Sequence, residues 1–297
     1  CLTCYDTAFT NCQSKQGGGG AIYIENNLKF KNNITLIGLT FNDCKAKYGG
    51  AAYIYCGTPR APVLVSSCEF TGNQLLPNSD TDHLHNGGKA LFVVAKRGKI
   101  SECRCHENPG EGEDMKIITT FDEYDYLLKD KQPRLSIKEA EEDEEEYQSD
   151  TSFMISNCIF DTDKQSRSSL NYFAGKHGIK VEVQDCIFKG DLSQGSHYIS
   201  EKVIPGASSK MIIKSCKFAS DPENSMNLNP INMQTSGNVF NYKYTKEVKV
   251  SRKIVTAIAF TTLAVNVIAV IATIIYKKHL VDDNSQSNIS SIEEPEN

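Results

Sequence analysis

Three aspartates, Asp163, Asp191 and Asp221, recur at one offset along the chain. Carboxylates that face each other across a sugar can hydrolyse it, one as acid and one as base or nucleophile. The same offset holds Cys12, Cys44, Asn73 and Asn108 elsewhere, so a turn role competes with a catalytic one. Cys1-Leu-Thr-Cys4 has the spacing of a redox pair, but that chemistry wants a βαβ setting that the sequence lacks. Cys103-Arg-Cys105-His106 and His83-Leu-His85 carry soft ligands. Structural zinc needs four at defined spacings, and no second pair is close in sequence. Gly17–Gly20 is followed by neither Lys-Ser/Thr nor a helical pattern, so it reads as a bend and not a phosphate loop. The expectation is a chain with no catalytic residue, no cofactor and no metal.

Five cysteines, Cys68, Cys103, Cys158, Cys186 and Cys216, share a second offset. Two readings stay open for them: small buried apolar side chains, or disulfides in an extracellular protein. Eleven cysteines in all leave at least one thiol free or paired with another chain.

These offsets are counted from a phenylalanine. Phe9, Phe41, Phe70, Phe160, Phe188 and Phe218 sit in copies of one short phrase, with Cys105 in the same slot and Phe240 as the last copy. The cysteines lie two before the slot, and the aspartates three after it. A β-rich run precedes most slots, such as Val63-Leu64-Val65, Val181-Glu182-Val183 and Met211-Ile212-Ile213. In the first part of the chain a glycine phrase follows the slot: Gly19-Gly20-Ala21-Ile22, Gly49-Gly50-Ala51-Ala52 and Gly87-Gly88-Lys89-Ala90. The glycine pair suits a positive-φ bend into the next strand.

Repetition at a few tens of residues means stacked units, each of which closes a core only with its neighbours. The expected fold is all-β, a parallel β-helix, with Cys and Phe rows inside and small polar residues such as Asn73 at a turn. Eight coils of about 4.8 Å make it on the order of 40 Å tall. A β-sandwich is the alternative, disfavoured because sandwiches rarely repeat one phrase in every strand.

Gly-Gly-Ala-Ile with Phe-x-x-Asn resembles the paired signature of the polymorphic membrane protein (Pmp) repeats of chlamydial surface adhesins, which also occur in trichomonad surface proteins. Gly19–Ile22 and Phe70–Asn73 match in full, and the resemblance covers about residues 5–110 closely and 150–242 loosely. It departs where Gly49–Ala52 ends in Ala, where Lys89 interrupts the third glycine phrase, and where five slots carry Cys or Asp in place of Asn. The resemblance implies a right-handed β-helical surface domain used in adhesion. The bacterial members end in an outer-membrane β-barrel; this chain looks like the eukaryotic single-pass version.

Ile254–Tyr276 is free of charge and long enough, as a helix, to cross a bilayer core of about 30 Å. Arg252, Lys253, Lys277 and Lys278 bracket it. Residues 1–248 are expected outside the cell, 254–276 in the plasma membrane, and 277–297 as a polar cytoplasmic tail. Lysines upstream of the span outnumber those downstream, but long domains translocate largely regardless of charge. Asn33-Ile-Thr35 is a glycosylation candidate on the exterior, and Asn288-Ile-Ser290 lies in the tail. The chain opens at Cys1 in mid-repeat, which reads as a missing start. Residues 109–150 widen one repeat and end in Glu139–Glu146, seven acids in eight positions, so an acidic, disordered insert is expected. The net charge of −5 and the absence of a basic stripe exclude nucleic acid as an expected partner.

The function expected from these residues is non-catalytic: a surface domain for adhesion, with a protein or glycan ligand. The alternatives are a carbohydrate-active β-helix enzyme using Asp163, Asp191 or Asp221, and a sorting receptor acting through its tail.

Overall fold

The order of the fold is set at a corner three residues before each Phe slot. That position holds Asp6, Gly38, Ser67, Glu102, Asn157, Asp185, Ser215 and Gly237, and every one has φ between 45° and 68°. Left-handed backbone costs little for glycine, and Asn and Asp tolerate it better than most residues. One such residue turns the chain sharply, so a strand of β-branched and aliphatic residues ends and a second strand begins at once.

The computed structural model describes residues 2–26, 33–56, 61–77, 87–119, 152–174, 179–192, 194–203, 210–228 and 233–243. They build three long parallel sheets and a short two-stranded one, Lys45–Ala46 with Gln74–Leu75, an arrangement compatible with a parallel β-helix of stacked coils. The first sheet runs Leu2–Tyr5, Ile34–Ile37, Val63–Ser66, Gly98–Ser101, Ser152–Ser156, Lys180–Gln184, Lys210–Lys214 and Met233–Ser236. The second carries the Phe slots, from Ala8–Thr10 through Glu69–Thr71 to Lys217–Phe218. The third runs from Ile22–Asn26 through Ala52–Cys56, Leu91–Val94, Glu113–Ile118, Ser168–Ala174 and Ile199–Val203 to Met226–Asn227. A typical coil therefore has one strand in each long sheet, three in all, where the sequence showed a strand pair. The third strand was legible only where the glycine phrase announces it; Ser168–Ala174 and Ile199–Val203 have none.

Register puts like on like. Phe9 pairs with Phe41, Phe41 with Phe70, Phe70 with Cys105, Cys105 with Phe160, and Phe160 with Phe188. The rings stack at 5.2, 4.9, 4.9, 5.0 and 5.3 Å for Phe9–Phe41, Phe41–Phe70, Phe160–Phe188, Phe188–Phe218 and Phe218–Phe240. Phe41, Phe70, Phe160, Phe188 and Phe218 are fully buried. Each such burial is worth about 1.5–3 kcal/mol before cavity effects. Phe9 and Phe240, in the first and last coils, are partly buried.

The glycine phrase does what its composition suggests. Gly19, Gly49 and Gly88 adopt φ of 64°, 56° and 66°. A Cβ on Gly50 would meet the Lys89 carbonyl oxygen at 2.3 Å, which explains the second glycine. The third copy is shifted by one. Counting back from the paired residues Ile22, Ala52 and Leu91, Gly88 aligns with Gly19 and Gly49, and Lys89 takes the place of Gly20 and Gly50.

One expectation needs correction. The acidic composition of 109–150 predicts an insert leaving the fold, yet Glu113–Ile118 is a strand between Leu91–Val94 and Ser168–Ala174, buried along nearly its whole length. The acids on both sides masked a strand whose apolar residues are Met115, Ile117 and Ile118. Residues 120–151, including the acidic run, lie outside the described residues. So do Cys1, His83, His85, the span 254–276 and the tail 277–297; among the described residues no helix is long and apolar enough to cross a membrane.

Candidate functional site

The recurring aspartates share an offset but not an environment. Asp163 and Asp191 line a shallow depression of about 500 Å³ with Asp161, Lys164 and Gly190. Lys164 approaches Asp191 at 3.3 Å, and Lys189 approaches Asp161 at 2.6 Å. Asp163 Oδ1 accepts from the Gln165 backbone N–H at 2.9 Å, which fixes a local turn. Asp221 caps the short helix Pro222–Ser225 by accepting from the Asn224 N–H at 2.9 Å. The sequence grouped three carboxylates; the structure gathers Asp163 and Asp191 in one depression and commits Asp221 to a cap.

Asparagine at the same offset goes inside. Asn73 and Asn108 are buried. The Cys44 N–H donates to Asn73 Oδ1 at 3.0 Å, and the Asn73 N–H donates to Asn108 Oδ1 at 2.9 Å. An axial ladder thus forms at these two residues. Asn238, which the sequence did not single out, makes a similar step by accepting from the Cys216 N–H at 2.9 Å.

The cysteine offset forms a second inward row. Cys68, Cys103, Cys158, Cys186 and Cys216 are all buried, and all ten described cysteines are free thiols. Each Sγ in the row donates to the carbonyl two residues before it, at 3.2–3.3 Å. In-register parallel neighbours are about 4.8 Å apart, while a disulfide wants Cβ atoms within about 4.5 Å. The row packs as small apolar side chains. Burial pushes the Cys105 and Cys186 thiols well above the ordinary range, so neither is a nucleophile at neutral pH. Among the described residues, no group of three or more His, Cys, Asp or Glu is placed to hold a metal; Cys105 is buried in the Phe row while His106 faces outward. His106 Nε2 meets Thr71 Oγ1 and Glu69 Oε1, both at 2.9 Å, across the outer face of the second sheet.

The outer faces differ in character. That of the second sheet is polar, with Thr71, His106, Asp161 and Lys189 in adjacent coils of one outward row. The first sheet carries a depression of about 370 Å³ lined by Asn33, Thr35, Leu64, Arg97 and Lys99, among others. Asn33, the glycosylation candidate, is exposed there just before the strand Ile34–Ile37. Further along the same face, Lys214 and Lys180 hold the Glu182 carboxyl below its usual range, with contacts of 2.7 and 3.0 Å. The third sheet is buried on its outer side too, through Tyr53, Tyr55, Phe92, Val94, Ile118 and Phe173. Tyr23 extends that aromatic row, stacked on Tyr53 at 5.1 Å, and is half exposed.

A charge pair lies in the core. Lys89 and Asp114 have 0% and 1% side-chain exposure, with Nζ 3.5 Å from Oδ1. Nζ also donates to the Asn108 carbonyl at 2.7 Å, to the Gly110 carbonyl at 3.1 Å, and to Ser166 Oγ. Burial pushes the Asp114 carboxyl up to about 7; Lys89 and Asn108 draw it back only in part. No sequence signal beyond the broken glycine phrase points to this pair, because Glu113 and Asp114 read as solvated acids.

No protein-family profile, curated protein or solved structure matches the chain.

Proposed function

We propose that the chain is a non-catalytic cell-surface protein that presents a right-handed parallel β-helix for adhesion or partner binding. In this reading residues 1–248 are extracellular, 254–276 cross the plasma membrane once, and 277–297 are cytoplasmic. The observation that carries it is the use of the repeat. Its conserved-in-chain positions go to stacking, and the residues that vary from coil to coil face out on long parallel sheets. A ligand with many weak contacts, protein or glycan, suits such a face better than a small molecule does. The apolar stretch Ile254–Tyr276 and the Pmp-like phrase support the membrane placement.

Binding of soluble residues 1–248 to intact cells tests this reading. Saturable binding is the expected result; none, from protein with a folded β-rich spectrum, contradicts it. Topology has its own test: glycan on Asn33 and none on Asn288 is expected, and the reverse overturns the orientation.

A second reading is favoured by one observation, the shared depression of Asp163 and Asp191. On it the protein cleaves acidic or neutral polysaccharide. Turnover abolished by Asp163→Asn or Asp191→Asn alone would establish that reading in place of adhesion.

A further inference from the structure

The repeat is broken in two adjacent coils by groups that complement each other. Lys89 stands where the first two coils have Gly20 and Gly50. Asp114 stands where the preceding coils have Ala21, Ala51 and Ala90, counted back from the paired Met115 and Leu91. A lysine and an aspartate thus replace the two smallest residue types inside a packed core.

The pair is poorly built as an ion pair. Its closest contact is 3.5 Å. Among the described residues neither Asp114 oxygen accepts a hydrogen bond, although both are shielded from water. A desolvated carboxylate without hydrogen bonds is costly. The raised Asp114 value has the same cause, its burial. The stacked coils hold Nζ against the Asp114 carboxyl, and groups fixed in contact react faster than free ones. The Nζ position is set by Asn108 O, Gly110 O and Ser166 Oγ, which belong to two further stretches of the fold.

We propose that Lys89 and Asp114 are joined by an intramolecular amide bond, a covalent staple between neighbouring coils. Nζ passes one proton to an Asp114 oxygen, its lone pair attacks Asp114 Cγ, and a C–N bond forms. The Cγ–OH bond breaks, and the hydroxyl leaves with a second Nζ proton as water. Ser166 Oγ, in contact with Nζ, is placed to relay that proton. Nothing is oxidised or reduced, and no other reactant is required. The product removes two buried charges and keeps one N–H for the acceptors around Nζ.

Mass spectrometry of the purified full chain, reduced and alkylated, decides the matter. The intact mass is expected to be one water below that calculated for the alkylated sequence. A digest is expected to yield one branched peptide containing both Lys89 and Asp114, with no cleavage after Lys89. Lys89→Met and Asp114→Ala each restore the mass calculated for the variant and the linear peptides. Wild-type chain of unmodified mass, with both linear peptides recovered, overturns the proposal. So does a water loss that maps to any other pair. The wild-type digest decides the question even where a variant fails to fold.

Discussion

The run of coils from Phe160 to Phe240 and the junction around Lys89, Cys105 and Asp114 obey the same backbone rules with opposite cores. In the first, every coil places a phenylalanine ring on the ring below, at 4.9–5.3 Å. In the second, Cys105 interrupts the ring stack between Phe70 and Phe160, and Lys89, Asn108 and Asp114 fill the neighbouring space. Strand register passes through both without a slip. The difference teaches that backbone stacking and the corner conformation, more than any single side chain, fix the coil. Side chains then decide how much each coil is worth.

Removing a ring from the regular run is the strongest way to test that contrast. Phe188→Ala is expected to cost about 3–5 kcal/mol in urea unfolding, since Phe188 is fully buried between two rings. A cost under 1 kcal/mol would mean that the stack is decorative. Putting a ring into the broken coil is the converse. Cys105→Phe restores the repeat on paper, yet Cys105 is fully buried among neighbours already packed. It is expected to destabilise by about 1–3 kcal/mol through overpacking. A stabilised variant would show that the break is drift, not a packed alternative.

Two smaller effects separate inside from outside. Asn73→Ala leaves the buried Cys44 N–H without its acceptor and is expected to cost about 1–3 kcal/mol in the same assay. Glu182→Gln removes a charge held by Lys214 and Lys180 near the surface, and about 1 kcal/mol or less is expected. The Glu182 carboxyl titrates below its unfolded range, so its contribution is full above that range and lost as pH falls through the folded value. Wild type and Glu182→Gln should therefore converge in stability at acid pH; a gap that widens there would contradict the assignment.

Much of this fold was legible because one phrase marks one coil. Phe9 through Phe240 and the five-cysteine row are register marks that period two alone turns into an inward face. The corner was missed because Asp, Gly, Ser, Glu and Asn share no side-chain chemistry; they share only a φ near 55°, which sequence does not display. Glu113–Ile118 was missed because acids dominate its surroundings. Of the site, the half-buried Asp163 and the stacked Asn73 were within reach of pattern reasoning. The different fates of Asp163 and Asp221 were not, since each depends on which local backbone N–H groups the turn presents. Lys89 with Asp114 was out of reach altogether: it requires knowing which glycine the lysine replaces.

The account rests on one coil per phrase, stacked in register. Ala8 and Ile187 lie in the same outward row of the second sheet, five coil steps apart. With Cys4 and Cys12 replaced by serine, spin labels at cysteines introduced at Ala8 and Ile187 measure that span by pulsed electron resonance. Five steps of about 4.8 Å predict a distribution centred near 24 Å, broadened by the label linkers. A centre beyond about 35 Å, more than seven such steps, would contradict the stacking on which every other inference depends.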